Sequence, residues 1–319
     1  MSNEVILELK DLHTYFTTRR GVVKAVNGVS YEVEAGKTLG IVGESGCGKS
    51  TAGRAILRLV EPTGGQVFFE GEDIVSLSES QMYGKRKDMQ IIFQDPFSSL
   101  NPRKTVSEAI SEPLSINKII TDKKKRSEKV LEVMSLVGLA KRLVNTYPHE
   151  LDGGRRQRIG IARALALDPK FIVCDEPVSA LDVSIQAQIL NLMEDLQKEM
   201  GLTYLFISHD LGVIKHMSNN IAVMYLGKIV EMSDYKSIFV DPQHPYTKAL
   251  LSAIPIPDVD IKRERIILEG DVPSPINPPP GCRFYGRCFA RKDECKDIDP
   301  ELTEISPGRF VACHLCKKQ

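Results

Sequence analysis

The stretch that decides the fold is Gly43-Glu44-Ser45-Gly46-Cys47-Gly48-Lys49-Ser50-Thr51. It matches the pattern GxxxxGK(S/T), follows an apolar strand-like run at residues 39–42 and precedes a helix-like stretch at residues 50–60, as the pattern requires. The glycines let the backbone curl so that its amides point at phosphate oxygens, Lys49 neutralises the β- and γ-phosphates, and Ser50 offers its hydroxyl to Mg²⁺. An ordinary glycine-rich turn with a chance lysine is the alternative. We therefore predict a phosphate-binding loop, called the P-loop below, whose nucleotide-binding residues are Gly43, Ser45, Gly46, Cys47, Gly48, Lys49, Ser50 and Thr51.

Two carboxylates end a second apolar run. Residues 171–174 read Phe-Ile-Val-Cys and are followed directly by Asp175 and Glu176. In open α/β sheets, ligands bind at the carboxyl ends of the strands, so we expect this pair beside the nucleotide. Asp175 is expected to hold Mg²⁺ through its hydration shell, and Glu176 to polarise the attacking water as general base. The alternative is that the two acidic residues end the strand only for solubility. The presence of a P-loop in the same chain disfavours this alternative.

Short β-branched runs alternate with helical stretches from the start of the chain to about residue 235, which indicates an α/β fold with a parallel or mixed sheet covered by helices. Candidate strands are residues 38–42, 89–93, 171–174 and 203–207. Long amphipathic stretches with charge runs predict a helical signalling subdomain at residues 96–165. The α/β core is then formed by residues 1–95 and 166–240.

The charge balance excludes one class of partner. Lys and Arg together number 42, as do Asp and Glu, which gives no reason to expect binding to nucleic acid. The first residues lack the basic and apolar regions of a secretory signal. No uncharged apolar run approaches the roughly 18 residues that a membrane-spanning helix needs. If the protein acts at a membrane, we expect another chain to cross it.

The end of the chain has a different composition. Residues 241–280 are rich in proline, and we predict a linker without regular helix there. Residues 281–319 form a cysteine-rich region in which Cys282, Cys288, Cys295 and Cys313 are separated by five, six and seventeen residues. Four thiolates suit either tetrahedral Zn²⁺ or a 4Fe-4S cluster, and free buried cysteines or disulfides are the alternatives. Cys316, close to His314, is not included among the ligands.

The order of these motifs resembles that of the ATP-hydrolysing subunits of ABC transporters. The resemblance implies a P-loop NTPase fold of the ABC ATPase type, with a mixed sheet core, a helical subdomain and a small cysteine-rich extension. ATP and Mg²⁺ are the implied cofactors, and Phe16 is the implied adenine-stacking aromatic, with Tyr15 as the alternative. Gln94 resembles the Q-loop glutamine, which touches Mg²⁺ and senses the membrane subunit. His209 resembles the switch histidine that contacts the γ-phosphate and orients Glu176, so that Lys49, Gln94, Glu176 and His209 form the implied catalytic set.

The signature motif of the family departs from its usual form. LSGGQ, with which one subunit binds the γ-phosphate of ATP held by the other, is here Leu151-Asp152-Gly153-Gly154-Arg155. Asp152 would bring a carboxylate against a phosphate, although Asp is also a good N-cap for the following helix. We therefore expect pairing with a different ATPase subunit, in a heterodimer with one weak site. Asp182, in Ser179-Ala180-Leu181-Asp182, resembles the D-loop residue at the dimer interface.

The end of the chain, at residues 241–251 and from Gly281-Cys282-Arg283-Phe284 onward, resembles the extension of dipeptide and oligopeptide importer ATPases. Some members carry a 4Fe-4S cluster there, which favours such a cluster over Zn²⁺. The resemblance implies permease subunits, an extracytoplasmic peptide-binding protein and a peripheral position at the cytoplasmic face of the membrane. A soluble ABC ATPase acting on DNA or ribosomes and a metal sensor with a vestigial ATPase are the rival classes. The first lacks its usual coiled coils or tandem domain here, and the intact Lys49, Asp175, Glu176 and His209 disfavour the second.

Overall fold

A computed structural model describes residues 4–254 and 265–316. In chain order, its strands are β1 Val5–Thr18, β2 Gly21–Glu34, β3 Thr38–Val42, β4 Gly64–Phe69, β5 Glu72–Asp73, β6 Met89–Ile92, β7 Phe171–Asp175, β8 Thr203–Ser208, β9 Asn220–Tyr225, β10 Lys228–Asp234, β11 Thr303–Ser306 and β12 Arg309–Val311. Its α-helices are α1 Lys49–Ile56, α2 Glu79–Lys85, α3 Pro96–Ser99, α4 Val106–Ile116, α5 Lys123–Leu136, α6 Gly153–Leu165, α7 Val183–Met200, α8 Leu211–Met217, α9 Tyr235–Val240, α10 Pro245–Ser252 and α11 Glu294–Asp297. Short 3-10 helices lie at Lys141–Leu143, Pro148–Glu150 and Tyr285–Arg287.

The chain divides into two compact units. Among the described residues, the first unit comprises Glu4, Glu34–Lys37 and Ser76–Phe206, and the second comprises Val5–Val33, Thr38–Val75 and the residues from Ile207 onward. The helices of residues 96–165 share their unit with β6 and β7, because α6 packs directly against β6.

The first unit combines a short parallel sheet with helices. The first four residues of β8, together with β7 and β6, are neighbours in this order, and β6 runs parallel to β7 with Met89 opposite Phe171. Strand β7 is buried along its whole length, as its continuous apolar sequence requires. Helix α4 begins with a capping box in which Thr105 and Glu108 bind each other's backbone N–H, and it packs against α5 and α6. The helical character predicted for this region is confirmed.

The second unit contains two groups of strands. The first is ordered β2-β1-β4-β5, with β1 antiparallel to β4 and Leu7 opposite Phe69. The other is ordered β11-β12-β10-β9-β3, with β3 parallel to β9 and β10 antiparallel to β9. The mixed sheet predicted from the sequence is therefore confirmed. Strand β3, fully buried, leads directly into the P-loop, and α1 leaves it.

The prediction that residues 241–280 contain no regular helix is wrong, because α10 lies inside them. Pro245 occupies the first turn of this helix, where a missing N–H costs nothing and the fixed φ angle of proline favours the helical turn. The His244 side chain caps the helix, since its Nδ1 accepts a hydrogen bond from the Tyr246 N–H at 3.1 Å. None of the helices in residues 4–254 and 265–316 is long and apolar enough to cross a membrane.

Candidate nucleotide site

The shape of the P-loop depends on two glycines. A Cβ atom at Gly43 would lie 2.1 Å from the Met224 carbonyl oxygen, and one at Gly48 would lie 2.0 Å from the Ala25 carbonyl oxygen. Gly48 also has a φ of 106°, which side chains rarely adopt. The loop therefore packs so closely against two other backbone segments that only glycine fits at these positions. Ser50 and Thr51 follow in the first turn of α1.

Lys49 lies inside the loop. Its side chain is buried, and its Nζ donates hydrogen bonds to the Gly43 oxygen at 2.8 Å and to the Glu44 oxygen at 3.1 Å. The Cys47 thiol lies beside this ammonium, at 3.9 Å from Nζ, and burial raises the pKa of that thiol. A positive charge is therefore held in place at the centre of the loop before any anion arrives.

The rest of the loop is held from outside by residues far along the chain. The Glu44 N–H donates to the Tyr246 hydroxyl at 2.9 Å, and the Gly227 N–H donates to the Cys47 oxygen at 2.8 Å. The Glu44 carboxylate receives two hydrogen bonds from the Arg287 guanidinium, at 2.7 and 3.1 Å. Tyr246 and Arg287 are not evident from the sequence, because separations of 202 and 243 residues from Glu44 leave no pattern in it.

The candidate aromatic residues differ in their surroundings. The Phe16 side chain on β1 is 40% exposed. The Tyr15 hydroxyl instead forms hydrogen bonds with His13 Nδ1 at 2.9 Å and with Asn27 Oδ1. Phe16 therefore has the accessible ring that stacking on a base requires, whereas Tyr15 is part of a polar cluster.

Asp175 and Glu176 end β7 in the first unit. Asp175 is buried, and Glu176 has a φ of 49°, in the left-handed region that non-glycine residues adopt at a cost of about 1–3 kcal/mol. Gln94 Nε2 donates a hydrogen bond to Glu176 Oε2 at 3.1 Å. The structure thus brings together two predicted site residues from separate parts of the sequence and fixes the direction of the Glu176 carboxylate.

The signature segment, residues 151–155, starts α6. Asp152 is the N-cap of this helix, as predicted, and its Oδ1 accepts a hydrogen bond from the Arg155 N–H at 2.8 Å. Its Oδ2 lies 3.3 Å from Arg155 Nη1, so the two residues that depart from the family sequence form an ion pair with each other. Both side chains are about half exposed. Gly154 is closely packed, since a Cβ there would lie 2.7 Å from Ile185 Cγ2.

Comparisons with known proteins agree with this geometry. The family model described as ABC transporter matches residues 26–179, and the one described as Oligopeptide/dipeptide transporter, C-terminal region, matches residues 230–295. The oligopeptide transport ATP-binding protein AppF of Bacillus subtilis is 54% identical over 324 residues, covering 98% of each chain. The chain belongs to the ABC transporter family. It is one of the ATPases of that family.

A further relative and a solved structure of this ABC ATPase's family support the same family and fold. The dipeptide transport ATP-binding protein DppF of Haemophilus influenzae is 48% identical, with 98% of this chain and 99% of that protein covered. The structure of the ATP-binding cassette MJ0796, a dimer in a post-hydrolysis state bound to ADP and Pi, is 28% identical, with a TM-score of 0.66. That alignment covers 72% of this chain and 98% of the cassette. The predicted ABC ATPase fold is therefore confirmed.

The remaining candidates of the ABC ATPase lie at the ends of β8 and α7. His209 directly follows β8 and is exposed. Asp182 is the N-cap of α7, where it accepts hydrogen bonds from the Ile185 N–H at 3.0 Å and from Ser184 Oγ at 2.8 Å. These hydrogen bonds lower the pKa of Asp182. The P-loop, Phe16 and His209 belong to the second unit, whereas Gln94, Asp175, Glu176, Asp182 and the signature segment belong to the first.

The four candidate cysteine ligands of the ABC ATPase line one small cavity in the second unit, together with His244, Phe284 and Tyr285; they are Cys282, Cys288, Cys295 and Cys313. Burial raises the pKa of Cys282 to about 11, whereas a hydrogen bond from Cys316 lowers the pKa of Cys313. Within residues 4–254 and 265–316, no group of three or more His, Cys, Asp or Glu side chains is arranged to hold a metal ion. The structure supports the convergence of the thiols but not a formed metal site. The sequence also places only two residues between Cys313 and Cys316, and in the structure their thiols form a hydrogen bond.

Proposed function

We propose that this ATPase powers the import of dipeptides or oligopeptides, with permease subunits that cross the membrane and a separate extracytoplasmic peptide-binding protein. In this proposal it works at the cytoplasmic face as a peripheral subunit. The observation that carries the proposal is the match of residues 230–295 to the C-terminal region of oligopeptide and dipeptide transporters, beyond the ATPase core itself. AppF and DppF, whose names refer to oligopeptide and dipeptide transport, match over nearly the whole chain.

The test of this proposal is purification of the chain with its permease subunits, followed by uptake assays in vesicles. A labelled dipeptide, a labelled oligopeptide and a labelled nickel complex are offered in parallel. We expect ATP-dependent uptake of a peptide and loss of that uptake with Glu176→Gln. Uptake of the nickel complex alone, or of none of the three, would contradict peptide import.

For the reaction itself, we propose the roles that the family resemblance implies. The P-loop amides and Lys49 bind the phosphates, and Phe16 stacks on the adenine. Ser50 and Gln94 would supply oxygen ligands, which Mg²⁺ prefers, and Asp175 would hold the ion through its hydration shell; the ion would neutralise charge that develops on the phosphates. Two observations in this chain support these roles. The buried Lys49 ammonium lies at the centre of the loop, and the Ser50 hydroxyl and the buried Asp175 carboxylate carry the oxygen atoms that suit Mg²⁺.

Glu176 is the proposed general base. Gln94 donates to one of its carboxylate oxygens, at 3.1 Å, which orients the carboxylate that would accept a proton from water. His209 is proposed to contact the γ-phosphate and to orient Glu176, and Asp182 to act at the dimer interface. A Glu176→Gln variant that binds ATP normally but turns over at the wild-type rate would contradict the role of Glu176.

We further propose that the chain pairs with a different ATPase subunit, whose signature completes the site of Lys49 and Glu176. The carboxylate of Asp152 supports this, because phosphate and carboxylate repel each other. The Arg155 ion pair partly offsets that repulsion, so the test needs two variants. Asp152→Ser and Asp152→Ser/Arg155→Gln are assayed as homodimers, and we expect the double variant, which restores the family motif, to hydrolyse ATP fastest. Equal rates in the homodimers of the wild type and of both variants would show that Asp152 and Arg155 do not weaken the site.

For the cysteine cavity, a 4Fe-4S cluster remains our proposal, with Zn²⁺ as the alternative. A Zn²⁺ site with four thiolates at about 2.3 Å needs sulfur atoms only about 3.8 Å apart, whereas a cluster holds its four cysteines more widely spaced. The support for a bound metal centre is that the four thiols line one cavity. Iron, sulfide and zinc analysis of protein purified without oxygen is the test, with Cys295→Ser as the disrupting variant and Cys316→Ser as the control. Zinc alone, or no metal, would contradict the cluster.

A further inference from the structure

We infer that Arg287 is a positioning residue for the P-loop, and that the cysteine-rich segment sets the affinity for ATP through its ion pair with Glu44. The activity concerned is the ATPase activity of the family, so this inference does not depend on which substrate is imported. Arg287 lies in the 3-10 helix next to Cys288, and Glu44 is the second residue of the P-loop. Both belong to the same compact unit.

The geometry of this ion pair is that of a strong one. The two guanidinium nitrogens of Arg287 donate to the two carboxylate oxygens of Glu44, at 2.7 and 3.1 Å. Only 10% of the Arg287 side chain and 26% of the Glu44 side chain are exposed. The hydrogen bonds from the guanidinium to the carboxylate raise the pKa of Arg287. Paired donors on a planar group restrict both side chains to one orientation, which a single lysine donor does not do.

Glu44 is held at its backbone as well. Its N–H donates to the Tyr246 hydroxyl at 2.9 Å, and its carbonyl oxygen accepts from Lys49 Nζ at 3.1 Å. Two of the groups that hold Glu44, Tyr246 and Arg287, thus come from the region beyond residue 241. Because Ser45 follows directly, the position of Glu44 determines where the phosphate-facing amides of the loop begin.

The segment that carries Arg287 is itself fixed. Phe284 is almost completely buried, and its ring lies 5.2 Å from that of Tyr225 and 5.4 Å from that of Tyr246. Arg283 donates a hydrogen bond to the Leu226 oxygen, next to Gly227, whose N–H binds the Cys47 oxygen of the P-loop at 2.8 Å. The segment of residues 283–287 therefore supports the loop at Glu44 directly and at Cys47 through its neighbour.

Removal of Arg287 would have two effects of the same sign. The loop would lose an anchor at its start, and the Glu44 carboxylate would remain unpaired beside the site of a highly charged anion. Both effects weaken the binding of ATP, whereas neither touches Glu176 or the attacking water. The expected signature is thus a change in affinity with little change in kcat, which general destabilisation of the fold would not produce.

The experiment measures the dissociation constant of Mg-ATP for the full chain by calorimetry, and KM and kcat by ATPase assay. We expect Arg287→Ala to weaken binding about tenfold and Arg287→Lys by a smaller factor, within the usual range for coupled sites. The matched control is Arg309→Ala. Arg309 pairs with Asp241 at 3.1 Å in the same part of the chain but does not contact the P-loop. We expect the control to bind Mg-ATP as the wild type does.

A double variant tests whether the coupling passes through Glu44. If it does, Glu44→Gln/Arg287→Ala binds Mg-ATP within about threefold of Glu44→Gln alone, since no unpaired carboxylate remains. Multiplicative losses in the double variant, wild-type affinity of Arg287→Ala, or an equal loss with Arg309→Ala would each overturn the inference. Thermal unfolding of every variant checks that it is folded, and Arg287→Lys carries the test if Arg287→Ala does not fold.

Discussion

The P-loop and the signature segment are both glycine-containing entries into a helix, but the structure supports them in different ways. The P-loop contains a buried lysine and is held by Ala25, Met224, Tyr246 and Arg287, none of them near it in sequence. The signature segment is capped by its own Asp152, whose side chain is 58% exposed, and its Gly154 packs against Ile185 of α7. The difference fits the proposed function, in which the P-loop binds ATP within one chain and the signature segment acts against a partner subunit.

The largest effect that follows from this contrast is on binding by the isolated chain. Lys49→Ala removes the ammonium from the centre of the P-loop, and we expect the affinity for Mg-ATP to fall at least about 100-fold, a difference of roughly 2.7 kcal/mol. Calorimetry with Mg-ATP measures this. Lys198→Ala is the control, because Lys198 forms an exposed ion pair with Glu194 on α7. Binding by Lys49→Ala as tight as that of the control would mean that the Lys49 ammonium does not contribute to phosphate binding.

The stability of the folded chain in acid depends on His244, which caps α10, the helix whose Tyr246 binds the P-loop. Burial lowers the pKa of His244 from its usual 6.5 to about 3. The folded chain keeps this histidine neutral, whereas the unfolded chain protonates it below about pH 6.5, so stability is lost as the pH falls from that value towards the folded pKa. Between pH 7 and pH 4.5, this loss is about 2–3 kcal/mol.

Urea unfolding at the two pH values, for the wild type and His244→Asn, measures the effect. Asparagine keeps an acceptor for the Tyr246 N–H at the helix N-cap but does not titrate. Glu231, whose carboxylate accepts the His244 N–H at 2.8 Å, contributes equally to both proteins. We expect the variant to lose about 2–3 kcal/mol less than the wild type on acidification. The same loss in both would show that His244 is not the acid-sensitive group.

The parts of the site that could be predicted from the sequence are those whose chemistry is local. Nine consecutive residues specify the P-loop, Asp175 and Glu176 follow an unbroken apolar strand, and the Asp152 cap depends on an N–H only three residues away. These features need no knowledge of tertiary structure.

The parts that could not be predicted are those that depend on packing. A charge pair between Glu44 and Arg287 has no sequence signal among 42 basic and 42 acidic residues. Helix α10 was missed because proline was considered a helix breaker, although Pro245 stands at the one turn where it is favourable. The spacing of the four cysteines predicts that they come together on one cavity, as they do. The distances between their sulfur atoms depend on the surrounding fold and could not be predicted.

A smaller effect tests the packing of the signature segment. Gly154→Ala places a Cβ 2.7 Å from Ile185 Cγ2, and we expect the free energy of unfolding to fall by about 1–3 kcal/mol from overpacking. Gly160→Ala is a matched control in the same helix. No atom outside the helix backbone lies within 4 Å of its Cβ position, so it should raise stability by about 0.5–1 kcal/mol.

Urea unfolding and calorimetry together separate the two regions. The contrast predicts that Gly154→Ala binds Mg-ATP as the wild type does, unlike Lys49→Ala. Adding Ile185→Ala to Gly154→Ala removes the clashing methyl group and should restore part of the lost stability. If Gly154→Ala instead weakened ATP binding by the isolated chain, the signature segment would belong to the pocket of its own chain, and the contrast would fail.

The smallest effect concerns the cap itself. Asp152→Ala leaves the Arg155 N–H without its side-chain partner, and we expect a loss of about 1 kcal/mol in the free energy of unfolding. Asp152→Ser keeps an oxygen at the N-cap and should remain within a few tenths of a kcal/mol of the wild type. The ion pair with Arg155 contributes little to this difference, because both side chains are about half exposed. An equal loss for alanine and serine would assign the stabilisation to the carboxylate charge rather than to the cap, and Asp152 would then be retained for its pairing with Arg155.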